Sequence, residues 1–384
     1  MRAVWQVLAV WLAGLGAAAQ FGKVSVGWDV LAGAWAGVSP VVLGLAVSVV
    51  GLVGLCLGVL AGEAVARIGP RRAMVAALVA GAAVSAVQTA ALAPGAFLAL
   101  RVVEGVSHLA IVVSGPVAIS AAAAGRWQGA AMTLWSSFFG LAYAVLAVIG
   151  PPVLASGGLA ALFLGHGVWM AGCAALVARL LPPDPPAAQG GAGGGILARH
   201  RAIYADPHLS GPALGFVFYT AAYVALLTLV PPLLDPALRA PVATAMPLLS
   251  IAVSLTLGVW LLRFLPAVGL AMAAYGAGIA GAVLFAFAPV AGALVLSGAL
   301  GLAQGAHFAA IPQLNPAPGD RARAAGAIAQ MGNLGTVTGT PVLAALIAGF
   351  GTGAVPAFSA ALCAGGLAMH ILLAARRKNL AGAG

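Results

Sequence analysis

Along the chain, apolar stretches of about twenty residues alternate with short clusters of Gly, Pro and charge. Twelve stretches can be counted, near 3–25, 39–61, 72–93, 95–121, 128–153, 158–181, 209–233, 242–263, 267–288, 290–314, 323–348 and 354–375. Each is long enough to cross a hydrocarbon layer about 30 Å thick. Backbone groups in that layer must bond within their own segment, and these runs are too long for barrel strands. The pattern therefore predicts an all-α polytopic membrane protein. The first run, "AVWQVLAVWLAGLGAAAQ", exceeds a signal-peptide core and is expected to stay as a membrane helix.

Composition and charge sharpen that picture. Of 384 residues, 63% are hydrophobic and 6% charged, with a mean hydropathy of +1.10. Soluble domains typically carry about a quarter charged residues. With the N-terminus placed in the cytoplasm and the spans alternating, 14 of the 17 basic residues fall inside. Such an excess predicts an even helix number, both termini cytoplasmic and an inner (plasma) membrane location. Lys23 and Arg239 fall at the outer rim, where Lys23 either snorkels to the surface or joins Gln20 as a polar group of the first helix facing the cavity. Basic loops facing anionic lipid account for the net charge of +10 without a nucleic acid.

The segment from Leu181 to His208, "LPPDPPAAQGGAGGGILARHRAIYADPH", is rich in Pro and Gly and lies at mid-chain. It reads as a cytoplasmic linker, 182–208, between a six-helix bundle at 1–181 and another at 209–384. The halves repeat each other: "EGVSHLAIVVSGP" (104–116) aligns with "QGAHFAAIPQLNP" (304–316), and "GPPVLA" (150–155) with "GTPVLA" (339–344). A parallel six-plus-six repeat is the pattern of a transporter that rocks one bundle against the other.

Cys56, Cys173 and Cys363 lie in apolar runs without metal or disulfide spacing, so no cofactor is expected. A P-loop, GxSxG and HExxH are all missing, which leaves an enzyme reading without support. His166 and Met170 form an isolated HxxxM, read as packing.

Candidate chemistry concentrates in "LRVVEGVSHLAIVVSG" (100–115). Arg101, Glu104 and His108 share one helical face. Glu104 lies about nine residues, or about 13 Å, from the outer end of its span. Ionisable groups at that depth pair or line a wet path. Arg101 and His108 both have the spacing to reach Glu104, giving a proton-carrying unit or a static ion pair. At the mirror position stands Gln304, with His307 one turn on.

"GEAVARIGPRR" (62–72) resembles the signature loop of the major facilitator superfamily through Gly62, Arg67, Gly69, Arg71 and Arg72. Ala66 occupies the loop's usual Asp position, and Glu63 is the carboxylate nearby. "RVVEG" resembles the helix 4 motif Arg-x-x-Gln-Gly of that family, with Glu104 at the Gln position. "AAAQFGKVS" and "TLWSSFFGLAY" look like the cyanate-permease-type bacterial branch. The resemblance implies two pseudo-symmetric six-helix bundles and carriage of a small solute by alternating access, as a monomer. It implies a cytoplasmic gate at Gly62, Glu63, Arg67, Gly69, Arg71 and Arg72. It also implies cavity-lining positions at Gln20, Trp135, Ser136, Tyr219, Tyr223, Gln330 and Asn333, beside Arg101 and Gln304. Glu104, His108 and His307 are the proton-coupling candidates. The excess of Arg101, His108, His307 and Lys23 over Glu104 favours a small organic or inorganic anion. A proton-driven efflux pump for amphiphiles, and a non-transporting receptor or assembly factor, are the alternatives.

Overall fold

The computed structural model describes residues 2–123, 131, 134, 135, 137–184, 195–316 and 318–382. Among them the regular structure is helical throughout. The chain divides into two compact units, Met1–Gly191 and Ala192–Gly384.

The first unit holds α1 (Arg2–Val26), the short α2 (Trp28–Ala34), α3 (Pro40–Ser48), α4 (Gly51–Ile68), α5 (Pro70–Gln88), α6 (Pro94–Ala122) and α7 (Phe138–Leu180). Proline opens α3, α5 and α6, where its missing N–H costs nothing and its fixed φ already suits a helix. Both α1 and α5 pack on α6 and α7. Between them lies an apolar core that includes Val10, Leu78, Ile111, Met170 and Val177.

The second unit holds α8 (Ile196–Ala205), α9 (Gly211–Leu229), α10 (Pro236–Val253), α11 (Ala267–Phe287), α12 (Pro289–Leu314), α13 (Pro318–Phe350) and α14 (Ala354–Gly382). A π turn, Ser254–Gly258, carries α10 on to Leu261. Its main packings are α9 on α13, and α11 on α12 and α14. In α13 the contact is backbone to backbone: a Cβ at Gly339 would collide with the Ala221 carbonyl.

Nine helical stretches among the described residues are long and apolar enough to cross a membrane, or ten if the bent pair Pro40–Ser48 and Gly51–Gly58 is one span. Two of the nine, Phe138–Leu180 and Arg323–Leu380, run to 43 and 58 residues. A straight 43-residue helix would be roughly 65 Å long, about twice the hydrocarbon thickness. It is broken at Gly158, whose φ of 62° belongs to the left-handed region glycine adopts freely. The 58-residue run is interrupted by a 3₁₀ turn at Gly351–Gly353.

Two expectations needed adjustment. The second predicted span, 39–61, is bent by 60° between Ser48 and Gly51. The stretch read as linker contains a helix, α8, because "ILARHRAIYA" is free of Gly and Pro. Ser136 and residues 185–194 lie outside the described residues.

Candidate functional site

The break between α3 and α4 sets the position of one cation. Helix ends leave carbonyls without an intrahelical partner and carry partial negative charge. Arg101 on α6 uses both properties. Its Nε donates to Ala46 O at 2.8 Å and its Nη2 to Val47 O at 3.0 Å. Its Nη1 donates to Glu104 Oε2, one turn along the same helix.

Glu104 is also the partner of Lys23, and this overturns the snorkelling reading of that lysine. Instead of reaching the surface, Lys23 is 0% exposed, as are Arg101 and Glu104. The Lys23 ammonium donates to Glu104 Oε1 at 2.6 Å, Gln88 Oε1 at 2.7 Å and Ser85 Oγ at 2.8 Å. His166 Nδ1 lies a little further off, at 3.3 Å, so the three protons of the ammonium are fully engaged. Gln88 Nε2 returns a hydrogen bond to Glu104 Oε2 at 2.9 Å. The Ser85 hydroxyl donates to His166 Nδ1 at 2.7 Å, and His166 Nε2 donates to Gly16 O at 2.9 Å. The network draws on α1, α5, α6 and α7 and contains two cations and one carboxylate.

His108 does not join it. Its Nδ1 donates to Ala17 O at 3.1 Å and its ring meets Phe21 edge-on. A spacing of four residues allows contact with Glu104 but does not compel it, and α1 offers a nearer acceptor. Gln20, on α1, donates to Ser107 Oγ at 3.1 Å, while its buried Oε1 has no partner.

The remaining candidates scatter. Trp135 is part of the apolar core of its unit, its ring tilted against that of Phe138 with centroids 4.7 Å apart. Tyr219 and Tyr223 are buried and stack on each other, with ring centroids 5.3 Å apart. Gln330 is engaged by α8, accepting from Tyr204 at 2.8 Å and lying 2.9 Å from His200. Burial pushes the Tyr204 hydroxyl up to about 12, so it remains a donor. Asn333 bonds back to Ala329 O, and Gln304 is half-buried on α12. His307 donates from Nδ1 to Ala303 O and faces His370.

In the signature loop, Arg67 is exposed at the end of α4, and Gly69 turns the chain with a φ of 96°. Gly62, Glu63 and Ala66 lie on α4, and the side chains of Glu63 and Ala66 are outside what is described. Among the described side chains, the carboxylate at this loop is Asp184, from the chain just beyond α7. It accepts from Arg71 N at 2.9 Å and Arg72 N at 2.8 Å, capping α5. The Arg71 guanidinium donates to Ala178 O at 2.5 Å on α7.

Sequence reasoning missed Ser85, Gln88, Asp184 and His370. Buried polar side chains in apolar runs were the signal for Gln88 and His370. For Asp184 none existed, since its partner lies 112 residues away.

Comparison with known proteins adds the wider context. Residues 3–316 match the sequence profile of the Major Facilitator Superfamily. No curated protein matches significantly. Among solved structures, a bacterial homolog of the human lysosomal transporter Spinster, inward-facing and unoccupied, aligns over 97% of this chain and 95% of its own (TM-score 0.65, 16% identity). The human organic anion transporter MFSD10 (TETRAN) aligns over 97% and 99% (TM-score 0.67, 17% identity). The nucleoside transporter NupG aligns over 97% and 98% (TM-score 0.70, 14% identity). At such identities the likeness speaks for the fold alone.

Proposed function

The chain belongs to the Major Facilitator Superfamily, and from that premise we propose that it carries a small organic or inorganic anion across the inner membrane, coupled to protons. Twelve spans, two six-helix bundles joined at 182–208, cytoplasmic termini and a monomeric carrier without covalent chemistry complete the proposal. The observation that carries it is the buried balance of two cations, Lys23 and Arg101, against Glu104.

A dry cluster with one uncompensated positive charge is costly, and only part of that charge is offset by the end of α3. An arriving anion offsets the rest. It competes with Glu104 for Lys23 and Arg101, and the displaced carboxylate, deprived of its cations, takes up a proton. Anion and proton then travel together. Gln20, with its unpartnered Oε1, is placed to accept a donor group from the solute. The organic anion named for MFSD10 accords with this reading.

The test is uptake into proteoliposomes with an imposed pH gradient, across panels of small anions and amphiphilic cations. Wild-type protein is expected to accumulate an anion. Glu104→Gln should lose accumulation but keep exchange of bound solute, since Gln already stands at the mirror position, 304. Accumulation that survives in Glu104→Gln removes Glu104 from coupling. Transport of amphiphilic cations alone would establish the efflux reading instead.

A further inference from the structure

The second unit contains a buried imidazole pair that the network above does not involve. His307 on α12 and His370 on α14 meet Nε2 to Nε2 at 3.0 Å, with ring centroids 4.9 Å apart. Their protonation follows from their neighbours. His307 Nδ1 lies 2.5 Å from the Ala303 carbonyl, so it carries the proton and His307 Nε2 is bare. Two bare nitrogens would repel, so His370 carries its proton on Nε2 and donates it across the pair. His370 Nδ1 is then a bare lone pair. It has no partner, on a side chain only 1% exposed.

The surroundings hold this arrangement in place. A Cβ at Gly215 on α9 would fall on His370 Nε2 and stand 2.6 Å from His307 Nε2, so the pair occupies space that any other residue there would fill. Tyr275 on α11 donates to Gly215 O at 2.7 Å and sets its ring edge against His307. Tyr275 is the titratable group whose ring meets both imidazoles, and the cation on the same face of α14 is Arg377, two turns further on. Neither α9, α11, α12 nor α14 carries a carboxylate, and Asp320 at the start of α13 pairs with Arg323.

We propose that the pair is a proton-binding site, loaded at His370 Nδ1. That nitrogen accepts a proton while both existing hydrogen bonds survive: Nε2–H still donates to His307, and His307 still donates to Ala303. One proton from water is added and nothing else moves. An unpartnered acceptor becomes a cation, and no neighbouring carboxylate neutralises it. The loaded state is therefore favoured by an incoming anion, which ties proton and anion uptake together in this half as well. The use of the site in transport rests on the proposed function; the binding of the proton does not.

The experiment is nitrogen NMR of the full-length protein with labelled histidine, in nanodiscs, followed from alkaline to acidic pH. The expected result is that His370 Nδ1 gains a proton while the Nε2–H···Nε2 coupling persists, and that His370→Gln removes this transition. Should that variant fail to fold, the coupling across the hydrogen bond identifies the pair in the native protein. A His370 Nδ1 that stays bare while the fold persists, or a proton that enters at His307 instead, overturns the proposal. Uptake of the anion in the same preparation separates the two readings. A titrating His370 with uptake indifferent to the pH gradient sinks proton coupling and leaves the site standing. Proton-driven uptake with a silent His370 does the reverse.

Discussion

Lys23 and Glu104 are not equivalent partners, although each is fully buried. Removing the lysine leaves Glu104 paired with Arg101 through Oε2, and the loss falls on Glu104 Oε1, Gln88 and Ser85. Lys23→Met should therefore cost about 1–3 kcal/mol. Removing the carboxylate leaves two buried cations without an anion, a situation worth about 3–5 kcal/mol. Thermal unfolding of the purified protein should rank wild type above Lys23→Met, and Lys23→Met above Glu104→Gln. The reverse order would mean that Lys23 is held neutral. The Arg101–Glu104 pair was legible in the sequence because both residues lie one turn apart on a single helix. The rest of the network was not. Lys23, Ser85, Gln88 and His166 come from three other helices, and no spacing along the chain encodes which helices touch. Lys23 was misplaced because depth was counted from the end of its apolar run, whereas its side chain turns into the bundle.

Helices were the most legible objects, since runs of apolar residues mark them directly and prolines mark several of their starts. Their interruptions were not legible. Gly158 breaks α7, yet it is one of 53 glycines, most of which sit unremarked in apolar runs. The cap on α5 shows how an element can depend on a distant residue. Asp184 satisfies the amides of Arg71 and Arg72, and its charge complements the positive end of the helix. Asp184→Ala should cost about 0.5–2 kcal/mol, the ordinary worth of an N-cap. Hydrogen exchange at the amides of 71 and 72 should quicken in that variant, while amides around Glu104 keep their protection. Asp184→Asn should restore most of the protection, because one carbonyl oxygen still accepts. Unchanged exchange in Asp184→Ala would show that the loop is held by Arg71 and Ala178 instead.

The orientation proposed for the whole molecule rests on its distribution of charge. With 14 of 17 basic residues assigned to one side, reversing the outer charge of Arg239 should leave the topology unchanged. A cysteine introduced at position 190 is expected to react with an impermeant reagent only after the membrane is opened. Labelling from outside intact cells would reverse the orientation and with it the assignment of the signature loop to the cytoplasm. The excess positive charge of the Lys23–Arg101–Glu104 network has one more implication, an electrical one. A cell membrane is itself a charged capacitor, and shifting one elementary charge through its whole field is worth about 2.3 kcal/mol per 100 mV. A bundle that tilts with this charge aboard carries gating current. In vesicles, turnover should then change with an imposed potassium diffusion potential, and Lys23→Met, neutral at the same place, should run at the same rate whatever the voltage.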